Sequence, residues 1–184
     1  MKVSVFIAVS LDGYIARKDG NLDWLDEANT RVPAGEDCGY GKFIASVDVL
    51  IMGRKSFEKV LSFGGWHYGE LPVVVWSRQG VEIPNPLAGT VSCSSEAPQA
   101  LLERLAQAGH QHAYVDGGLT VQSFIHAGLV NELIITTLPV LLGEGIPLFA
   151  PAPHGQSPTQ WLQLLQCQYF PFGYVQTHWK VEST

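Results

Sequence analysis

Short apolar runs rich in β-branched residues alternate along this chain with helix-length amphipathic segments, and that alternation restricts the fold more than any other feature. The runs Val3–Val9, Val47–Met52, Val73–Trp76, Thr90–Cys93, Ala113–Asp116 and Glu132–Leu138 read as strands, several of them apolar at consecutive positions. A strand apolar on both faces is covered on both faces, as in a parallel sheet flanked by helices. Segments Glu96–Ala108 and Leu119–Ala127 carry helical spacing. The first has Ser94 or Ser95 as a cap and Leu101, Leu102 and Leu105 on one face; the second has Val121, Phe124 and Ile125 on one face. Arg54–Leu61 and about Asp37–Ser46 are further helix candidates. Near the end, Trp161–Tyr169 and Gly173–Val181 follow each other without room for a helix and should pair antiparallel. The expected fold is a three-layer α/β/α sandwich. It has one mixed, mainly parallel sheet and an antiparallel C-terminal edge. With 184 residues, one domain spanning 1–184 is expected.

Several function classes fall away. The net charge is −6 and the 11 Lys and Arg residues form no run, so a nucleic-acid partner is not expected. The apolar N-terminal stretch ends by Asp12, too short to span a bilayer, and no membrane association is expected. Cys38, Cys93 and Cys167 are dispersed and odd in number, which suits free thiols in a reducing, cytoplasmic setting. His110 and His112 lack further ligands nearby, so no metal is expected. A Ser10, Asp12 and His67 triad lacks the G-x-S-x-G elbow of a hydrolase.

Chemistry concentrates where strands end. Met52-Gly53-Arg54-Lys55-Ser56 runs from a strand through glycine into a helix, with cations and a hydroxyl in its first turn. Trp76-Ser77-Arg78 ends a second strand, and Asp116-Gly117-Gly118 leads from a third into a helix. Helix N-termini present free N–H groups and partial positive charge, so such junctions suit phosphates. Each is also readable alone as an ordinary turn. Neither G-x-G-x-x-G nor a Walker A lysine is present. The long stretch Ser10–Gly35 reads as a loop. Trp24, Trp66 and Tyr68 fall outside periodic faces, either as core residues or as aromatics closing on a flat ring.

The order Ala8, Asp12-Gly13-Tyr14-Ile15-Ala16, Met52-Gly53-Arg54-Lys55-Ser56, Ser77-Arg78 and Gly117-Gly118 resembles the dihydrofolate reductase-like superfamily. The phrase from Leu129 through Leu138-Pro139-Val140-Leu141-Leu142-Gly143-Glu144-Gly145 to Phe149 is similar to the reductase domain of the bifunctional riboflavin-biosynthesis deaminase-reductase. It is closer still to the stand-alone bacterial proteins of that branch. The resemblance implies NADPH as cofactor and a hydride delivered to a C=N or C=O group of a small heterocyclic or ribosylamino-pyrimidine substrate. It implies Ala8, Ile15 and Ala16 at the nicotinamide. Gly53, Arg54, Lys55, Ser56, Ser77 and Arg78 would hold the phosphate and adenosine side, and Asp116, Gly117, Gly118, Leu119 and Thr120 the opposite helix. Asp37 would bind substrate and help deliver a proton, supported by the Thr136 hydroxyl, with Trp24 also at the substrate. Alone, Asp37 is also readable as a helix-end carboxylate; its interval before Gly53 favours the site reading. A homodimer is implied too. A true dihydrofolate reductase and a nucleotide-binding module without turnover remain the competing readings, with a phospho-receiver domain behind them. The fused deaminase's H-x-E and P-C-x-x-C motifs are absent from the sequence.

Overall fold

The computed structural model describes residues 1–151 and 159–182. Its strands are β1 (Lys2–Ser10), β2 (Tyr14–Ala16), β3 (Val49–Gly53), β4 (Val73–Trp76), β5 (Val91–Ser94), β6 (His112–Asp116), β7 (Glu132–Leu138), β8 (Ile146–Pro147), β9 (Leu162–Tyr169) and β10 (Val175–Val181). Its helices are α1 (Asp23–Asn29), α2 (Tyr40–Ile44), α3 (Arg54–Ser62), α4 (Pro98–Gln107) and α5 (Gly118–His126). Eight strands form one sheet in the order β5-β4-β3-β6-β1-β7-β10-β9, and β2 pairs with β8 separately. This is the mixed sheet with an antiparallel edge that the strand pattern predicts.

The chain divides into two compact units, Met1–Ser4 with Ile44–Val130, and Val5–Phe43 with Asn131–Thr184. In the first, β5, β4, β3, β6 and the start of β1 pair in parallel throughout. Val49, Leu50, Ile51, Met52, Val75 and Val115 are completely buried. Phe57 of α3, Leu101 of α4, and Val121 and Phe124 of α5 are completely buried as well, so the apolar helix faces form part of this core. At about 25 cal/mol per Å² of apolar surface, each such side chain stabilises the fold by roughly 1.5–3 kcal/mol.

In the second unit β10 pairs antiparallel with both β7 and β9. Trp24, Ala28, Leu138, Phe170 and Tyr174 form its buried cluster.

Some local expectations need correction. The stretch 10–35 is not one loop, since it contains β2 and α1. Trp24 lies on α1 and is buried. Helix α4 begins at Pro98 with Ala97 as N-cap and no side-chain cap. Ser94 instead donates to Glu96 Oε2 at 2.7 Å and accepts from the Glu96 N–H. The helix expected over 37–46 is limited to α2, because Gly39 at φ 83° interrupts the helical backbone. No helix among the described residues is long and apolar enough to cross a membrane.

Candidate functional site

The register of the first unit puts the expected junctions side by side. Gly53 pairs with Trp76, and Met52 pairs with Asp116, so β4, β3 and β6 end together. Beyond them stand the N-termini of α3 and α5. Gly53 caps α3 and Gly117 caps α5, neither helix has a side-chain cap bond, and neither has an acidic residue in its first turn. Both therefore present backbone N–H groups and the positive end of the helix dipole, although at α5 the Asp116 carboxyl takes the Gly117 N–H.

Both glycines are required by contact, and Gly117 by conformation as well. A Cβ on Gly53 would lie 2.7 Å from Thr120 Oγ1. Gly117 has φ 87°, and a Cβ there would collide with Ser56 Oγ and stand 3.7 Å from the Gly53 nitrogen. Each helix thus sends a first-turn hydroxyl, Ser56 or Thr120, against the other's capping glycine. Ser56, Gly53, Gly117, Gly118 and Thr120 are brought together as expected. The donor set is backbone N–H groups and short hydroxyls, which matches phosphate oxygens.

The cations are placed less directly. Arg54 Nη1 donates to Glu58 Oε1 at 2.6 Å, an i,i+4 pair that occupies the guanidinium. Lys55 and Arg78 are exposed, and so is Leu119 at 66%. Ser77 Oγ donates to the Gly80 carbonyl and accepts from the Gln79 N–H, so it shapes its own turn. Burial raises the Asp116 carboxyl above the usual carboxylate range, opposed by hydrogen bonds from the Gly117 N–H and the Tyr114 hydroxyl.

At the far end of β6, His110 Nδ1 lies 3.4 Å from Asp48 Oδ1. His112 has Ser46 O beside Nδ1 and Ser4 Oγ beside Nε2, each at 2.8 Å. This pair ties strands together.

The second unit holds the residues expected at the substrate and nicotinamide. Asp37 is exposed. Its Oδ2 accepts from the Gly41 N–H and its Oδ1 from the Gly39 N–H, both at 2.8 Å. Those bonds, Gly41 foremost, lower its carboxyl below the ordinary value, so Asp37 stays ionised at neutral pH. The expected support from Thr136 is not what the structure shows. Buried Thr136 accepts through Oγ1 from Gln176 Nε2 at 2.9 Å, and the same amide nitrogen donates to the Cys38 carbonyl. Among the described residues, Cys38 is the one outside glycine held at positive φ, 52°. Ala16 is buried and Ile15 half-buried on β2, and Ala8 packs against the Trp24 cluster.

Tyr174, in the Trp24 cluster, and Gln176, bonded to Thr136, are neighbours of the expected substrate residues that sequence reasoning missed. Asp12 accepts from Ser10 Oγ at 2.6 Å and from the backbone N–H groups of Leu142 and Gly143. It thereby ties the β1–β2 turn to the segment after β7. Nothing in its local sequence signals a partner 131 positions away.

Comparison with known proteins bears on family and fold. Residues 1–175 match the RibD C-terminal domain. The Bacillus subtilis (strain 168) protein YwjB is 38% identical over 152 residues, 80% of this chain and 82% of that protein. A crystal structure described as a riboflavin biosynthesis protein of Shewanella sp. PV-4 superposes with a TM-score of 0.89 at 34% identity, covering 100% of both chains. The Thermotoga maritima diaminohydroxyphosphoribosylaminopyrimidine deaminase/5-amino-6-(5-phosphoribosylamino)uracil reductase has a TM-score of 0.71 at 12% identity. It covers 98% of this chain but 56% of that one, a likeness of fold.

Proposed function

The chain belongs to the RibD C-terminal domain family, and on that premise we propose that it is an NADPH-dependent reductase acting on a ribosylamino-pyrimidine or similar small heterocycle. One observation carries the reading: two uncapped helix N-termini approach so closely at Gly53 and Gly117 that only glycine fits, with Ser56 and Thr120 between them. That arrangement suits a pyrophosphate. Lys55 and Arg78, both exposed, supply charge for a ribose 2′-phosphate. When bound, the nicotinamide supplies the hydride. Ala8, Ile15 and Ala16 would give its ring an apolar setting, and Asp37, fixed as an anion by Gly39 and Gly41, would hold a donor edge of the substrate.

The proton needed on the nitrogen or oxygen after hydride transfer then comes from water, because a carboxyl kept ionised is a poor acid. That same observation favours, as the second reading, a module that binds nucleotide without turnover.

Thermal shift against NADPH and NADH tests the cofactor. At a hundredfold excess over Kd a native-state ligand adds about 2.7 kcal/mol, roughly 5–10 °C in a domain this size. NADPH should give the larger shift. Equal shifts would remove the 2′-phosphate assignment, and no shift with either would remove the reductase reading. NADPH oxidation with 5-amino-6-(5-phosphoribosylamino)uracil, and none with dihydrofolate, is the expected substrate result.

The protein is further proposed to work in the reducing cytoplasm, where Cys38, Cys93 and Cys167 stay free thiols, and as a homodimer. Strand β9 ends the sheet, bears no charged residue and exposes Leu164, Leu165 and Tyr169. Unprotected edges of this kind invite another strand. Light scattering should give twice the 20.1 kDa chain mass, and the single-chain mass would refute the dimer.

A further inference from the structure

Native proteins leave few buried polar atoms unpaired. The buried cluster of the second unit nevertheless holds two: Trp24 Nε1 and Tyr174 Oη have no hydrogen-bond partner among the described residues. Both side chains are nearly inaccessible, at 4% and 3%. Their surroundings are largely apolar: Ala28, Leu138 and Phe170 complete the cluster, and Ala8, Phe172 and Cys38, whose sulfur is only a weak acceptor, are among the residues packed against it.

The position is set by the fold. Val175 pairs with Thr137, which puts Tyr174 beside Leu138, the last residue of β7. Carboxyl ends of strands are where ligands sit in α/β sheets. The turn that carries Tyr174 is closed by Phe170 N–H to the Tyr174 carbonyl at 2.8 Å and by Gly173 N–H to the Phe170 carbonyl at 2.9 Å. Phe172 stands edge-on to Tyr174, with ring centroids 4.8 Å apart. Apolar walls with a few fixed polar tips are how pockets hold flat ligands.

The chemistry of the tips narrows the ligand. An indole N–H only donates. The Tyr174 phenol is pushed up by burial first and by Cys38 second, so it stays protonated and can donate as well. A ring carbonyl is the neutral, planar acceptor that suits two donors between aromatic walls.

We propose that Trp24 Nε1 and Tyr174 Oη are the donor pair that receives a ring carbonyl of a uracil-class substrate, which makes Tyr174 a specificity-determining residue. The proposal rests on the reductase reading for its biological sense, but its test does not need turnover. Two probes share one ring: 5,6-diaminouracil, which carries carbonyls, and 2,4,5,6-tetraaminopyrimidine, which carries amino groups in their place. The wild-type protein should bind the uracil at least roughly tenfold more tightly by calorimetry, the discrimination expected when buried donors lose their acceptor. Tyr174→Phe should weaken 5,6-diaminouracil by roughly tenfold and leave tetraaminopyrimidine and the NADPH thermal shift unchanged. It should also melt no lower than wild type, because it deletes a hydroxyl that has no partner to lose. Equal wild-type affinities for the two probes, or a Tyr174→Phe variant that keeps the preference, would overturn the proposal. So would a Tyr174→Phe loss that falls on NADPH instead. If NADPH fails to bind while the carbonyl preference depends on Tyr174, the reductase reading fails and the donor pair stands.

Discussion

Gly117 faces Ser56 across the gap between two helix N-termini, and the space between them admits no side chain. Gly117→Ala places a Cβ on Ser56 Oγ and puts a non-glycine residue at φ 87°. The conformation alone costs roughly 1–3 kcal/mol, about 2–12 °C in a chain of this length. The NADPH-induced rise in melting temperature should disappear as well, because Ser56 is pushed toward the space proposed for phosphate. A variant that melts lower yet keeps the full NADPH shift would show that the glycine serves packing alone.

Asp37 is held by two backbone N–H groups and remains ionised, so its substitution should read out in substrate binding. Asp37→Asn can keep one of the two acceptor bonds, since its nitrogen cannot accept. The expected result is an unchanged NADPH shift, a raised KM, and a kcat that falls by much less than the 10²–10⁴ typical of a lost general acid or base. A loss confined to kcat at that scale would restore Asp37 as the proton donor.

Asp12 gains its low carboxyl value first from Ser10 and then from the Gly143 and Leu142 N–H groups. Its folded value lies below the unfolded one, so this contribution is present above about pH 4, the unfolded carboxylate value, and is lost as pH falls through the folded value. Asp12→Ala should therefore speed hydrogen exchange at the Leu142 and Gly143 amides at neutral pH, with wild type approaching the variant in acid. Exchange unaffected at both amides would refute the tether.

The sheet was legible because strands buried on both faces announce themselves: Val49 to Met52 and Val73 to Val75 can hardly be anything else in a chain with helical patterns between them. The junctions were legible for a related reason, since a glycine between a buried strand and a helix carries local meaning. Strand β2 spans 3 residues and α1 spans 7, too short for a period to emerge, and Trp24 was misplaced in a loop as a result. The partners of Asp37 and Thr136 were beyond reach for a different reason. Gly39 and Gly41 lie close enough in sequence to compete for the carboxylate, while Gln176 reaches Thr136 only through the β7–β10 pairing. Orphan atoms such as Trp24 Nε1 exist only as properties of packing.

Asp116 carries the opposite perturbation to Asp12 and gives the opposite pH dependence. Burial raises its carboxyl value, and the bonds from Gly117 and Tyr114 offset part of that rise. The folded state thus favours the protonated form. Its stability relative to the unfolded chain is fully present below the unfolded carboxylate value, near pH 4, and declines as pH rises through the folded value. Asp116→Asn removes the ionisable group while its amide oxygen can still accept from Gly117 or Tyr114. The variant should melt above wild type at neutral pH. The difference should shrink to nothing near pH 4. NADPH should bind the variant at least as well, because a carboxylate beside the α5 N-terminus opposes phosphate charge. Melting curves across pH decide the matter. A neutral-pH melting temperature below wild type would mean that Asp116 is needed as an anion, and a cation or substrate donor would then have to be sought beside it.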